Sequence, residues 1–192
     1  IEEAIKDIQT GKFLIIVDDE HRENEGDLFI PAEKISPDTV NFMITHARGL
    51  LCMPMTGNRL DELEIPPMIN GGNTATHGTA FTVSVDFLHR TTTGISAHDR
   101  AETIKALIDP KSVATDFARP GHLFPLRYMN GGVLIRPGHT EAAVDMSRMA
   151  GLKPAGVICE ITNPDGTMAR MSELEEFSVL HSINIISIGQ IV

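Results

Sequence analysis

The chain is poor in cysteine, in aromatic residues and in positive charge. Its 192 residues hold two cysteines, Cys52 and Cys159, and no CxxC pair. That argues against a disulfide framework or a cysteine zinc site and for reduced thiols in a cytosol-like compartment. Tryptophan is absent and tyrosine occurs once, which argues against an aromatic platform for stacking bases or sugars. A formal net charge of −10 argues against nucleic acid as the main partner, because a polyphosphate would be repelled. No apolar run approaches the ~20 residues of a membrane helix, and Ile1-Glu2-Glu3 lacks the basic and apolar regions of a signal peptide. Neither the Gly-x4-Gly-Lys phosphate loop nor GxGxxG occurs. The 42% hydrophobic content is enough for one sizeable core, so residues 1–192 read as a single domain. The missing initiator Met, and an end just after an apolar strand, predict a longer gene product.

Apolar residues at 1, 4, 5 and 8 predict an opening helix stopped near Gly11. Phe13-Val17 and Leu28-Ile30 read as strands. Ser36-Pro37 opens a helix that Gly49 ends. Leu50-Met53 reads as a strand closed by Pro54, residues 58–63 as a short helix, and residues 80–86 as the clearest strand. Ser96 or Ala97 starts a helix ended by Pro110. Residues 116–125 read as irregular, residues 131–135 as a strand, and Thr140 as the cap of a helix to Ala150. Residues 155–161 read as a strand, Ser172 as the cap of a last helix, and residues 184–188 as a final strand. Helices and strands mix throughout, which predicts layered helices on a mixed sheet.

The densest feature is Asp18-Asp19-Glu20-His21-Arg22-Glu23-Asn24-Glu25-Gly26-Asp27, with six carboxylates in ten residues. So many like charges repel, and burying them unpaired is costly. The stretch fits either a solvated hairpin loop or a cradle for a cation. Extended geometry would place Glu23, Glu25 and Asp27 on one face, and a hard divalent cation such as Mg²⁺ prefers such oxygens.

Arg136-Pro137-Gly138-His139-Thr140-Glu141 meets a helix start, where free N–H groups and the dipole favour an anion. Arg136 can grip a phosphate bidentately, Gly138 permits close backbone approach, Thr140 offers a hydroxyl, and His139 suits a metal or a proton. An ordinary strand–helix turn is the plain alternative. Arg119-Pro120-Gly121-His122 aims a second imidazole, His122, as a candidate acid or base. Glu160 ends an apolar strand and shares a face with Ile158 and Gly156, while Cys159 faces the other way. Cys52 belongs to the core or borders a cleft. Thr91 to Arg100 gathers hydroxyls around Gly94. The set suits enolisation and rearrangement of a phosphorylated sugar on a divalent metal. Another metal-dependent sugar-phosphate isomerase or aldolase, or a non-catalytic cation or phosphate module, are the rival readings. The acidic stretch lacks EF-hand spacing.

These motifs, together with Thr92-Thr93-Gly94-Ile95-Ser96-Ala97-His98-Asp99-Arg100 and Pro154-Ala155-Gly156-Val157-Ile158-Cys159-Glu160, resemble the 3,4-dihydroxy-2-butanone 4-phosphate synthases of riboflavin biosynthesis. The resemblance runs along the whole chain. It implies an α+β fold, a three-layer α/β/α sandwich around a mixed sheet. It implies a lyase that converts D-ribulose 5-phosphate to L-3,4-dihydroxy-2-butanone 4-phosphate and formate, with one or two Mg²⁺ or Mn²⁺ ions. Matched position by position, Glu23 and His139 would ligate metal. Arg22, Glu23, Asp27, Cys52, Thr93, Arg136, Gly138, His139, Thr140 and Glu160 would surround substrate. His122 and Glu160 would be the essential catalytic pair, with Asp27, Glu25 and Asp18 as further catalytic candidates. The family further implies a cytoplasmic homodimer (plastid stroma in a plant) with active sites near the interface. The domain occurs in it alone or ahead of a GTP cyclohydrolase II domain.

Overall fold

A computed structural model describes residues 1–192. In chain order the elements are α1 (Glu2–Gln9), β1 (Leu14–Val17), β2 (Gly26–Pro31), α2 (Pro37–Phe42), β3 (Cys52–Met55), α3 (Gly57–Glu62), β4 (Val85–Phe87), α4 (Ala97–Ile108), β5 (Phe117–Arg127), α5 (His139–Met149), β6 (Gly156–Glu160), α6 (Met171–His181) and β7 (Asn184–Ser187). The strands form one mixed sheet in the order β4-β5-β3-β6-β2-β1-β7.

Alternation along the strands divides the interior into two cores. Ile15, Val17, Leu28, Ile30, Met53, Val157 and Cys159 pack on one face with Val40, Leu60, Ile104 and Leu107 of α2, α3 and α4. Leu14, Ile16, Phe29, Cys52, Leu126 and Ile158 pack on the other with Ile8 of α1 and Ala142, Ala143 and Met146 of α5. Central strands buried on both faces read as unbroken apolar runs, which is why Leu14–Val17 shows no polar alternation. Helices on both sides of the sheet give the expected three-layer α+β architecture.

Several boundaries differ from the sequence reading. Residues 117–127 are not irregular; they form the longest strand, β5, despite Pro120, Gly121 and Pro125. The missing proline donors are tolerated because side chains replace part of the ladder. Ser84 Oγ accepts from Gly121 N–H at 3.1 Å, and Asp86 Oδ1 accepts from His122 N–H at 2.8 Å. The strand expected over 80–86 shrinks to Val85–Phe87, with a register shift between Val85 and Asp86. Residues 131–135 are not a strand. They form a 3-10 turn over Gly132–Leu134, because Gly131 and Gly132 take φ of 97° and 62°.

Ser36 caps α2 as expected, with its Oγ accepting from Thr39 N–H. That helix continues as a π-turn over Met43–Ala47 and ends at Arg48, at φ 71°, rather than at Gly49. Thr140 does not cap α5, which starts at His139 behind Gly138. Ser172 likewise lies inside α6, where Glu173 accepts from Arg170 N–H. β3 begins at Cys52 and runs through Pro54.

No helix is long and apolar enough to cross a membrane.

Candidate functional site

The register of β2 against β6 lays the floor of the site. Asp27 lies opposite Glu160, and Phe29 opposite Ile158. Asp27 and Phe29 therefore share the α5 face, where the sheet ends beneath the first turn of α5. Arg22, Glu23, Glu25, Asp27, Cys52, Glu160, Arg136, His139 and Thr140 line one cleft, with Thr79, Phe81, Leu126 and Ile158 completing its walls.

The acidic stretch reaches this cleft by a folded loop rather than by extended alternation, because Asn24 takes φ 53°. Asp18 organises the loop. Its carboxylate accepts from Arg22 Nη1 at 2.8 Å, from Glu23 N–H at 3.0 Å and from Glu25 N–H at 2.9 Å. Arg22 also donates to Glu23 at 2.7 Å. Arg170, just ahead of α6, holds the loop from behind by donating to the carbonyls of Glu23 and Asn24.

His139 joins the two distant segments. Its Nδ1 lies 3.4 Å from Glu23 Oε2, and its Nε2 lies 4.0 Å from Asp27 Oδ1. Asp18, Glu23 and His139 present ligand atoms within 4.8 Å of one another. Asp27 Oδ1 and His139 Nε2 are two of only three buried side-chain polar atoms with no hydrogen-bond partner. Such atoms are costly in a folded protein unless a ligand engages them. A carboxylate–imidazole set with orphaned acceptors fits a divalent cation.

Electrostatics separate the acidic groups. His139 first, then Arg22, hold the Glu23 carboxyl down at about 2, against its burial. Burial, with Glu160, Glu23 and Glu25 nearby, pushes Asp27 up to about 7 against the pull of His139. Burial and Glu23 also raise Glu25. Burial would lower His139, but Asp27, Glu23 and Asp18 outweigh it and raise the imidazole to about 9. Burial raises the thiol of Cys52, which is therefore a wall and not a nucleophile.

The signs predict a stability profile for the metal-free protein. Glu23, depressed by folding, contributes fully above about pH 4.5, and this contribution fades as pH falls through about 2. His139, raised by folding, contributes fully below about 6.5, and this contribution fades as pH climbs through about 9. Urea unfolding midpoints in chelator should therefore fall between pH 6.5 and 9. In an Asp27→Asn background, which removes the other raised group, His139→Asn should flatten that limb, and an equally steep limb would refute the assignment.

Asp18 and Gly138 back this lining behind Arg22 and Arg136, and two other expected residues lie outside the cleft altogether. His122 sits on β5, with Nδ1 2.7 Å from Asp86 Oδ2. It shares a strand face with Leu126 of the cleft but stands four residues, or roughly 13 Å, away. Thr93 is exposed in the loop before α4. Gly94 packs against the Asp86 carboxylate, so the loop carrying Thr93 approaches the residue that holds His122, away from the cleft. Thr91 and Thr92 satisfy their hydroxyls internally, on the Phe87 carbonyl and the Asp99 carboxylate. Sequence reasoning missed Asp86 as the partner of His122, and missed Thr79 and Phe81 as walls of the cleft. Only contacts distant in sequence reveal these roles.

Comparisons with known proteins point to one family. The family model described as 3,4-dihydroxy-2-butanone 4-phosphate synthase matches residues 2–192. The chain is 58% identical over its whole length to the riboflavin biosynthesis protein RibBA of Endomicrobium trichonymphae, covering 47% of that protein. It is 55% identical to RibBA of Bacillus cereus strain G9842, covering 48% of it. The chain thus spans about half the length of the curated relatives it matches. The crystal structure of RibBX, a two-domain synthase from A. baumannii, superposes with a TM-score of 0.92 at 48% identity, over 97% of this chain and 55% of that one. A 3,4-dihydroxy-2-butanone 4-phosphate synthase in complex with two magnesium ions superposes with a TM-score of 0.92 at 41% identity, over 98% of this chain and 92% of that one. A match that spans residues 2–192, on a sheet whose register seats Asp27 beside Glu160 under His139, places this chain in the 3,4-dihydroxy-2-butanone 4-phosphate synthase family.

Proposed function

We propose that the chain converts D-ribulose 5-phosphate to L-3,4-dihydroxy-2-butanone 4-phosphate and formate as a Mg²⁺- or Mn²⁺-dependent lyase. The observation that carries this is the convergence of Glu23 and His139 beside the orphaned Asp27 Oδ1. Glu23 and His139 would hold the metal, one ion or two, which when bound supplies positive charge beside the substrate's carbonyl oxygen. Arg136, Gly138 and Thr140 at the start of α5 bind the phosphate, with Arg22 beside them. Burial makes Asp27 readier than an ordinary carboxylate to hold a proton, and its place on the cleft floor lets it accept one from the carbon next to the ketone and return it later. Glu25 and Glu160 lie beside Asp27 as further proton carriers, and Cys52, Ile158 and Leu126 keep water from that carbon. The net change loses C4 as formate. The water released on dehydration matches the water taken up, so no redox partner is needed.

The direct test is formate release from ribulose 5-phosphate with and without chelator, together with product analysis. An isomer or cleavage products in place of a four-carbon phosphate would select the isomerase or aldolase reading.

His122 and Thr93 join this reaction through a second copy of the chain, as a homodimer would arrange. Mixing a His122→Ala chain with a His139→Ala chain should then restore activity that neither has alone. A mixture as inactive as its parts would return His122 to a role within its own subunit. The placement is cytoplasmic, and residues 1–192 act as one domain, alone or ahead of a second one.

A further inference from the structure

The mechanism leaves unused a buried carboxylate beside the cleft. Glu141, in the first turn of α5, is 1% exposed. Its Oε2 accepts from Arg136 Nη1 at 2.6 Å, and its Oε1 accepts from Met129 N–H at 3.1 Å. A carboxylate this deep is costly unless it is paired, and Arg136 is its only cation. Arg136 is held at a second corner as well, where Nη2 donates to the His77 carbonyl at 3.0 Å and to Thr79 Oγ1 at 3.3 Å. Its Nε–H meets no acceptor within the chain.

Gly138 shows why such fixing matters. A Cβ added there would collide with Arg136 Nη1, fall 2.9 Å from Arg22 Nη2 and fall 3.0 Å from Glu141 Oε2. Two guanidinium groups therefore flank one backbone point, where they repel each other. Each is held by its own buried carboxylate, Arg22 by Asp18 and Arg136 by Glu141. Without Glu141, Arg136 keeps only its Nη2 hydrogen bonds to His77 and Thr79 and loses the one negative charge that offsets its repulsion by Arg22.

We infer that Glu141 is a positioning residue that aims Arg136 at the phosphate of the substrate. This rests on reading Arg136 as a phosphate ligand. Charge and position make opposite predictions. A carboxylate beside an anion site repels the anion, so its removal would tighten phosphate binding if charge alone mattered. If position dominates, its removal loosens binding.

The experiment measures inorganic phosphate binding by calorimetry on the metal-loaded protein, with kcat and KM for ribulose 5-phosphate and for unphosphorylated ribulose. Glu141→Gln should weaken phosphate binding about 10- to 100-fold, as is typical for residues that orient a ligand-binding group. KM for the phosphorylated sugar should rise, while kcat/KM for ribulose and the Mg²⁺ affinity stay unchanged. In an Arg136→Gln background Glu141→Gln should add nothing. Unchanged or tighter phosphate binding overturns the inference, as does an equal loss on both sugars. Should Glu141→Gln fold poorly, Glu141→Asp keeps the charge but draws the carboxylate back from Arg136 Nη1. It should show the same selective loss, and intact phosphate binding in it would overturn the inference too. A wild-type protein that binds phosphate but releases no formate would sink the reaction assigned above and leave the Glu141 inference standing.

Discussion

His139→Ala is expected to lower metal-dependent formate release by about 10³-fold, on the order of 4 kcal/mol of transition-state stabilisation. The variant removes the one imidazole that faces Glu23 and Asp27 together. It also leaves Asp27 among Glu160, Glu23 and Glu25 with no cation to temper them, so its carboxyl should move further up. Glu23→Ala should lose as much activity by a different route, since Arg22 then keeps Asp18 as its one carboxylate partner. Assays should be run at several Mg²⁺ concentrations. Activity in His139→Ala that returns fully at high Mg²⁺ would mean a weakened ligand set, and full activity at ordinary Mg²⁺ would remove His139 from the metal site.

Phe29→Ala is expected to destabilise the fold by about 3–5 kcal/mol. Phe29 is fully buried between the sheet and α5. Its ring lies over Gly156, where an added Cβ would fall 2.6 Å from Phe29 Cε2, so the ring occupies the space that this glycine leaves open. Removing the ring leaves a cavity that the paired strands β2 and β6 cannot close. Against a total stability of about 5–15 kcal/mol for a typical domain, this is a large fraction. The urea midpoint should fall with an unchanged m value. A shift below ~1 kcal/mol would show that the sheet and α5 collapse onto the gap.

Legibility in the sequence followed chemistry more closely than geometry. The acidic stretch and Arg136–Glu141 stood out because charge and glycine were concentrated there, and both reached the cleft. β1, β2 and β6 were visible because strands buried on both faces need apolar runs, and the edge strand β7 because of its Ile185-Ile186 pair. β5 was not, because Pro120, Gly121 and Pro125 argue against a strand, and the Ser84 and Asp86 side chains that replace its ladder lie more than thirty residues away. Residues 131–135 misled in the opposite direction. Their apolar run suggested burial, yet Leu134 and Ile135 are exposed, and the Gly131-Gly132 turn decides the backbone. Thr140 looked like a cap because hydroxyl residues favour that position. Gly138 occupies it instead, where a side chain would strike Arg136.

The pairing of β2 with β6 also limits how this family can vary. Asp27 and Leu28 point to opposite sides of the sheet. Sliding β2 by a single position would keep every strand and nearly every backbone bond, yet it would trade the proton-carrying carboxyl for an aliphatic chain and drive a charge into the α4-side interior. Length changes near residues 26–31 are therefore barred, whereas the Gly71-Gly72 turn, where an added Cβ would meet nothing within 4 Å, has room for them.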